Sequence, residues 1–453
     1  MSLAWPIAAA MLGDTAMGLV DTRLVAPLGA AALGGVGVAI TLMYLNYAVV
    51  FGLMRGVKVR AAHALGEGNG YHGVRYAEAG VAMGLALGAL VWLFARDASW
   101  AFRALGLDPE MVGTASRFLA ARTALAPLTC AMSALVQWRQ GVGDSRAPMR
   151  ITLAGNVVNA ALAWSLIHGR FGLPRLGVAG AGYATAVAES LCALALLAVL
   201  VRERRAHREA LRDAPSRLEA AREVASLGVP TGLQFGAEVL AFTTFTAILA
   251  NVGAAEVAAH QIALATIRTS FLPGAAVAEA TSVLVGRALG RRDVSEADRV
   301  VLDGLKVAVG FMALCGVVFA VAGDGIASLF GADATVERRV GQLLMVAAVF
   351  QVLDAVNIVL RGALRGAKDV RVVALMGIGV VWLCIPGAAL LFGRWMHMGA
   401  VGGWLGFVFE TALGSALFAW RWRRGAWRAL YPALTPPLRD PPAPTADVAA
   451  AAR

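Results

Sequence analysis

The chain has 453 residues, of which 59% are hydrophobic, with a mean hydropathy of +0.69 and a formal charge of +11. So much apolar surface cannot be buried in a water-soluble core; the bilayer has to be the solvent, and an all-α polytopic membrane protein is expected. The basic excess would point to nucleic acid in a soluble protein, but here it is spread over short connectors rather than gathered in a patch, which argues against that partner.

Taken in chain order, the apolar stretches read as twelve transmembrane helices, at 3–26, 32–54, 78–95, 117–138, 148–168, 177–201, 225–250, 256–285, 303–330, 340–364, 370–393 and 399–420. No basic n-region or A-x-A site precedes the first span, so a cleaved signal peptide is not expected. Connectors after even-numbered spans are rich in arginine, as in Arg55, Lys58 and Arg60, or Arg139, Arg146 and Arg150, or Arg287, Arg291 and Arg292. Those after odd-numbered spans carry far fewer, such as Arg170, Arg175 and Arg394. The positive-inside rule therefore puts both termini in the cytoplasm. Cys130, Cys192, Cys315 and Cys384 all lie in apolar spans without metal-ligand spacing and read as small apolar side chains.

The second half of the chain repeats the first. At an offset of 224, Pro6 meets Pro230, Asp14 meets Glu238, and Ala64-Leu65-Gly66 meets Ala288-Leu289-Gly290; one added residue then pairs Gly141, Asp144 and Arg146 with Gly366, Asp369 and Arg371. Six spans per copy is an even number, so both copies enter the membrane with the same orientation. The expected architecture is two six-helix bundles related by a pseudo-two-fold along the membrane normal, with a cavity between them. On this reading residues 1–201 form the first lobe, 202–223 a charged cytoplasmic linker helix, 224–424 the second lobe and 425–453 a disordered tail rich in proline and alanine. Pro6, Pro27 and Pro230 lie in or beside the equivalent first spans, where a proline can kink a helix.

Several segments fall in one order: 17–39 (MGLVDTRLVAPLGAAALGGVGVA), 139–149 (RQGVGDSRAPM), 176–189 (LGVAGAGYATAVAE), 227–242 (LGVPTGLQFGAEVLAF), 252–263 (VGAAEVAAHQIA) and 350–369 (FQVLDAVNIVLRGALRGAKD). Together they resemble the multidrug and toxic compound extrusion (MATE) family over about residues 3–424, with mixed DinF-like and NorM-like features. The resemblance implies a secondary active antiporter that exports organic, often cationic, compounds by alternating access in exchange for protons or sodium. No cofactor beyond that coupling ion is expected. The implied partners are a small organic substrate and membrane lipids, and the expected state is a monomer. Arginine in place of lysine, with abundant alanine and glycine, points to a bacterium of high genomic GC and so to its inner membrane.

An ionised side chain near the bilayer centre costs about 2.5–3.5 kcal/mol on insertion scales, so acids inside spans call for a reason. Asp14 and Asp21 are seven residues apart and share one helix face. The family resemblance makes Asp21 an ion-coupling residue of the first lobe and Glu238 and Asp354 the coupling pair of the second. A carboxylate held in a low-dielectric cavity can take up a proton and release a bound organic cation. Sodium instead needs several converging oxygens, and Glu238 and Asp354 are the candidate ligands, with Gln234 and Asn357 beside them in the chain. The competing reading of each acid is a structural ion pair, with Arg122 and Arg268 the basic residues in reach.

Thr41, Asn46, Asn159, Thr185 and Gln234, with Asp14, are candidate cavity residues, although hydroxyls and amides also hold helices together. DinF-like members follow the span 5 asparagine with an aspartate four residues on. Here Asn159 is followed by Ala163, which shifts weight toward Glu238 and Asp354. Two other readings compete: a flippase of the same superfamily for lipid-linked sugars, and a membrane-embedded enzyme. The intramembrane charges counted here are mainly acidic, against the basic groove of the first, and no HExxH, GxSxG or phosphate loop supports the second.

Overall fold

A computed structural model describes residues 2–104, 106–331 and 333–431, which are mostly helical with no strand among them. The first half runs α1 (Ala4–Val25), α2 (Ala30–Gly66), α3 (His72–Ala95), a short α4 (Ser99–Ala104), α5 (Pro109–Thr123), α6 (Ala126–Gly141), α7 (Arg146–His168) and α8 (Val178–Ala206). The second runs α9 (Arg217–Ala250), α10 (Ala254–Gly290), α11 (Val294–Ser328), α12 (Ala334–Gly366), α13 (Val370–Ala388) and α14 (Gly399–Arg424). Helix boundaries follow the sequence repeat. Both α2 and α10 have 37 residues, and a shift of 224 carries the ends of one onto the ends of the other.

Nine described helices are long and apolar enough to cross a membrane, and α5 with α6 makes ten if that bent pair is one span. This falls short of the expected twelve, because α1 and α10 are long but interrupted by polar groups. Asp14, Asp21 and Arg23 punctuate the first; Glu256, Arg268 and Glu279 punctuate the second. The expected span at 117–138 is not one straight helix. It breaks between Thr123 and Ala126 with a bend of 56°, with Pro127 opening the second piece. Likewise α13 ends at Ala388 and continues as a π-helix over Ala389–Trp395, two residues past Pro386.

Three other expectations need correction. The linker 202–223 is not a single helix: α8 continues to Ala206, a 3₁₀ turn covers Ala210–Arg212, and α9 starts at Arg217. Ser216 explains the restart, since its Oγ accepts from the Glu219 N–H while the Glu219 carboxylate accepts from the Ser216 N–H. The tail does not become structureless at 425. Ala426–Leu430 forms a 3₁₀ turn, Trp427 is fully buried against Trp422, and Tyr431 stacks on His63. The rest of the expected disordered tail, 432–453, lies outside the described residues. Pro6 and Pro230 are not equivalent kinks either, because Pro6 occupies the first turn of α1, where no helical N–H bond is lost, whereas Pro230 is interior to α9.

The halves meet along a seam built on small residues. A Cβ added to Gly228 would lie 2.0 Å from the Leu53 carbonyl oxygen, and one on Gly56 would lie 2.2 Å from that of Val224. Farther along, a Cβ on Gly66 would lie 2.2 Å from the Arg287 oxygen and one on Gly290 2.5 Å from the His63 oxygen. Only glycine lets these backbones approach so closely. The seam lies at the arginine-rich end, where Arg60 pairs with Glu223 at 2.8 Å and His63 Nε2 meets the Gly366 carbonyl at 2.9 Å across the halves. Higher on α2, Thr41 and Asn46 are exposed.

Candidate functional site

In the first half, Asp21 comes to rest against α7. The buried Asn159 amide donates from Nδ2 to both carboxylate oxygens of Asp21, at 3.2 and 3.3 Å, and Asn156 Nδ2 donates to Asp14 Oδ1 at 3.2 Å. The three-residue step from Asn156 to Asn159 nearly follows one helix turn, so one face of α7 serves the two acids that share a face of α1. Asp21 is half-buried and Asp14 exposed. Arg122 does not pair with Asp21. It pairs with Glu189 on α8 at 2.6 Å and packs over the Tyr47 ring. Thr185 on α8, by contrast, bonds the Ala181 carbonyl of its own helix at 3.1 Å.

The second half holds a denser network. Gln234 Nε2 and Arg361 Nη1 both donate to Glu238 Oε1, each at 2.9 Å. Arg361 Nη2 reaches Glu410 Oε1 on α14 at 3.5 Å, and Asn357 Nδ2 donates to the same oxygen at 3.2 Å. Arg365 closes the chain by donating to Gln234 Oε1 at 3.0 Å. Residues 354, 357, 361 and 365 fall on one face of α12, so Asp354 shares that face while forming no hydrogen bond or ion pair of its own among the described residues. Arg268 is exposed on α10 and forms no ion pair among the described residues.

Thr41 and Asn46 bond back to their own helix, to the carbonyls of Gly37 and Leu42 at 3.0 and 3.1 Å, and join neither network. His260 is buried and structural: its Nδ1 accepts from Trp404 Nε1 at 3.1 Å. Asp144 caps α7 through the Ala147 N–H at 3.0 Å and pairs with Arg139. Burial would raise its carboxyl, but the Arg139 and Ala147 bonds outweigh it and hold it below the usual carboxylate range. Asp369 differs from its repeat partner, since it accepts a two-pronged bond from Arg421 at 2.7 and 3.2 Å instead of capping α13.

A family model described as MatE matches residues 6–165 and 230–390, one stretch in each half of the repeat. The chain belongs to the MATE family. It is 32% identical to a probable multidrug resistance protein NorM of Pseudomonas aeruginosa, over 94% of this chain and 89% of that one. It is 30% identical to the multidrug resistance protein NorM of Burkholderia vietnamiensis, over 92% of each. Among solved structures it resembles a MATE protein in the straight conformation (TM-score 0.85, 23% identity, 94% of this chain and 96% of that one). It also resembles a multidrug resistance MATE family transporter in an outward-facing conformation (TM-score 0.83, 21% identity, 94% and 95%).

Within this MATE chain the second-half network contains three residues that sequence reasoning did not single out: Glu410, Arg361 and Arg365. A signal for the arginines was present. At the repeat offset of 225 their first-half counterparts are Val136 and Gln140, so both charges belong to the second copy alone. Glu410 had no such signal, because it lies in a different span and meets Arg361 only on folding.

Proposed function

We propose that the chain is a monomeric secondary antiporter of the bacterial inner membrane that exports organic cations, multidrug-type compounds among them, in exchange for protons. In this reading α1 to α14 make twelve spans in two six-helix lobes about a pseudo-two-fold along the membrane normal, with both termini cytoplasmic. The glycine seam then closes the cytoplasmic side, and cargo leaves toward the opposite face. The relatives' names support multidrug export, and the repeat of helix boundaries supports the paired lobes.

One observation carries the chemistry: Asp21, inside a spanning helix, is held by the Asn159 amide at 3.2 and 3.3 Å with no arginine paired to it among the described residues. A carboxylate left unpaired by a fixed cation is free to exchange an organic cation for a proton. Proton coupling is favoured over sodium because Glu238, one of the two expected sodium ligands, already accepts from Arg361. A guanidinium so placed repels a second cation.

Ethidium efflux in energised vesicles tests the reading. An imposed pH gradient should drive transport and a sodium gradient should not, and Asp21→Asn should abolish it while membrane levels of the protein stay normal. Retained efflux in Asp21→Asn, or a sodium gradient sufficient by itself, would dismiss it.

A further inference from the structure

A small cavity lies where α2, α9, α10 and α12 cross at the seam, lined by Arg55, Lys58, Thr231, Glu279, Ser282 and Arg365 among others. Its charges do not balance. Three cations face one acid, and Glu279 is already shared by Arg55 and Lys58. Arg365 has no carboxylate within ion-pair distance among the described residues. Its Nη2 donates to the neutral Gln234 amide at 3.0 Å, its guanidinium lies 4.9 Å from the centre of the Phe235 ring, and its Nε is buried without a partner among the described residues. The residue is only 7% exposed, so bulk water does not compensate the charge. Arg55, which does share Glu279, resembles Arg365 only in being packed between the Phe51 and Phe235 rings with its Nε buried and unpartnered among the described residues. The nearest acids of the second-half network, Glu238 and Glu410, are engaged by Arg361.

A buried cation without a counter-charge is costly, and an ordered water would supply hydrogen bonds but no charge. The cavity has room for one monatomic ion or one water molecule, which excludes phosphate or the carboxylate of a bulky cargo in this state. The Ser282 hydroxyl on its wall, in a residue 5% exposed, adds a neutral donor.

We propose that this cavity is a binding site for a small monovalent anion of halide size, held by Arg365, Arg55 and Lys58 with Ser282, and that the bound ion ties the two halves together at the seam. A ligand that binds only the folded, closed seam raises stability with its concentration. The test is the thermal unfolding of the purified full chain in detergent, with sodium gluconate replaced stepwise by sodium chloride at constant ionic strength. A saturable rise in Tm with chloride is expected. Arg365→Gln should lose the rise, Arg365→Lys should keep it, and Ser282→Ala should move its midpoint to higher chloride. Crystals soaked in bromide should show an anomalous peak beside the Arg365 guanidinium. Superimposable chloride and gluconate series, an undiminished rise in Arg365→Gln, or bromide sites only elsewhere would each overturn the proposal. Should Arg365→Gln fail to fold, an unmoved midpoint in Ser282→Ala together with an empty cavity in the bromide map would do the same.

Discussion

Arg361 Nη1 donates to Glu238 Oε1 at 2.9 Å, and Nη2 of the same guanidinium lies 3.5 Å from Glu410 Oε1. Three helices are thereby tied by one tethered cation: α12 supplies the base, α9 and α14 the acids. Removing one member of a buried ion pair costs about 3–5 kcal/mol, because the partner charges stay behind in low dielectric. Arg361→Met should therefore lower the detergent Tm steeply, and adding Glu238→Gln and Glu410→Gln should restore much of the loss. The same single variant should become stabilised by sodium relative to a bulky organic cation, and the parent should not. If Arg361→Met is as stable as the parent, Arg361 does not compensate these acids.

Asn159 and Asn156 hold two acids with the same chemistry but different burial, which ranks them. Asn159 is 2% exposed and gives both contacts to the half-buried Asp21, while Asn156 gives one contact to the exposed Asp14. A hydrogen bond to a charged acceptor contributes about 1.5–3 kcal/mol, and less where water can replace it. Asn159→Leu should cut the initial rate of ethidium efflux at least about tenfold on that scale, and Asn156→Leu should cost much less. Equal or reversed losses at matched protein levels would place the functional acid at Asp14 instead.

The seam makes a prediction about state rather than chemistry. At Gly228 the obstacle to a side chain is the Leu53 carbonyl oxygen, 2.0 Å from the position of an added Cβ. Backbone cannot swing aside as a side-chain tip does, so Gly228→Val has to part α2 from α9. Val59 and Leu227 sit in one buried cluster across that seam. With the native cysteines replaced, a Val59→Cys/Leu227→Cys pair should crosslink readily in the parent and poorly when Gly228→Val is added. Undiminished crosslinking would mean that the seam closes without glycine there.

Much of this was legible because repetition and hydropathy are properties of the chain itself. The 224-residue offset located α10 from α2, and the positions of Asp21 and Glu238 within apolar spans marked both networks before any fold was known. What failed was local or long-range. The break before Pro127 and the restart at Ser216 depend on turn and cap chemistry that a window average erases. Trp427, in a proline- and alanine-rich tail, is buried only because α14 turns back on itself through Gly425 in the left-handed region. Arg122 looked like a partner for Asp21 by depth, yet Glu189 claims it from α8. No spacing rule within one chain segment foretells that choice.

Lys368 lies in the turn between α12 and α13, outside the spanning helices, with Tyr431 packed over it and its Nζ 5.5 Å from the ring centre. Burial, with the Arg60 charge nearby, outweighs Glu67 and Glu223 and lowers its amine to about 8. A lysine whose folded value lies below its unfolded one binds its proton less tightly when folded. Its contribution therefore penalises the folded state below about pH 8, and that penalty fades as pH rises from there toward the ordinary lysine value. Labelling with an amine-reactive reagent, read by mass spectrometry, should show Lys368 gaining reactivity with a midpoint near pH 8. Deleting residues 425–453 strips Tyr431 from the turn, and the midpoint should then climb back toward that of a solvated lysine. A midpoint already at the solvated value in the full chain would show that Tyr431 does not bury the amine.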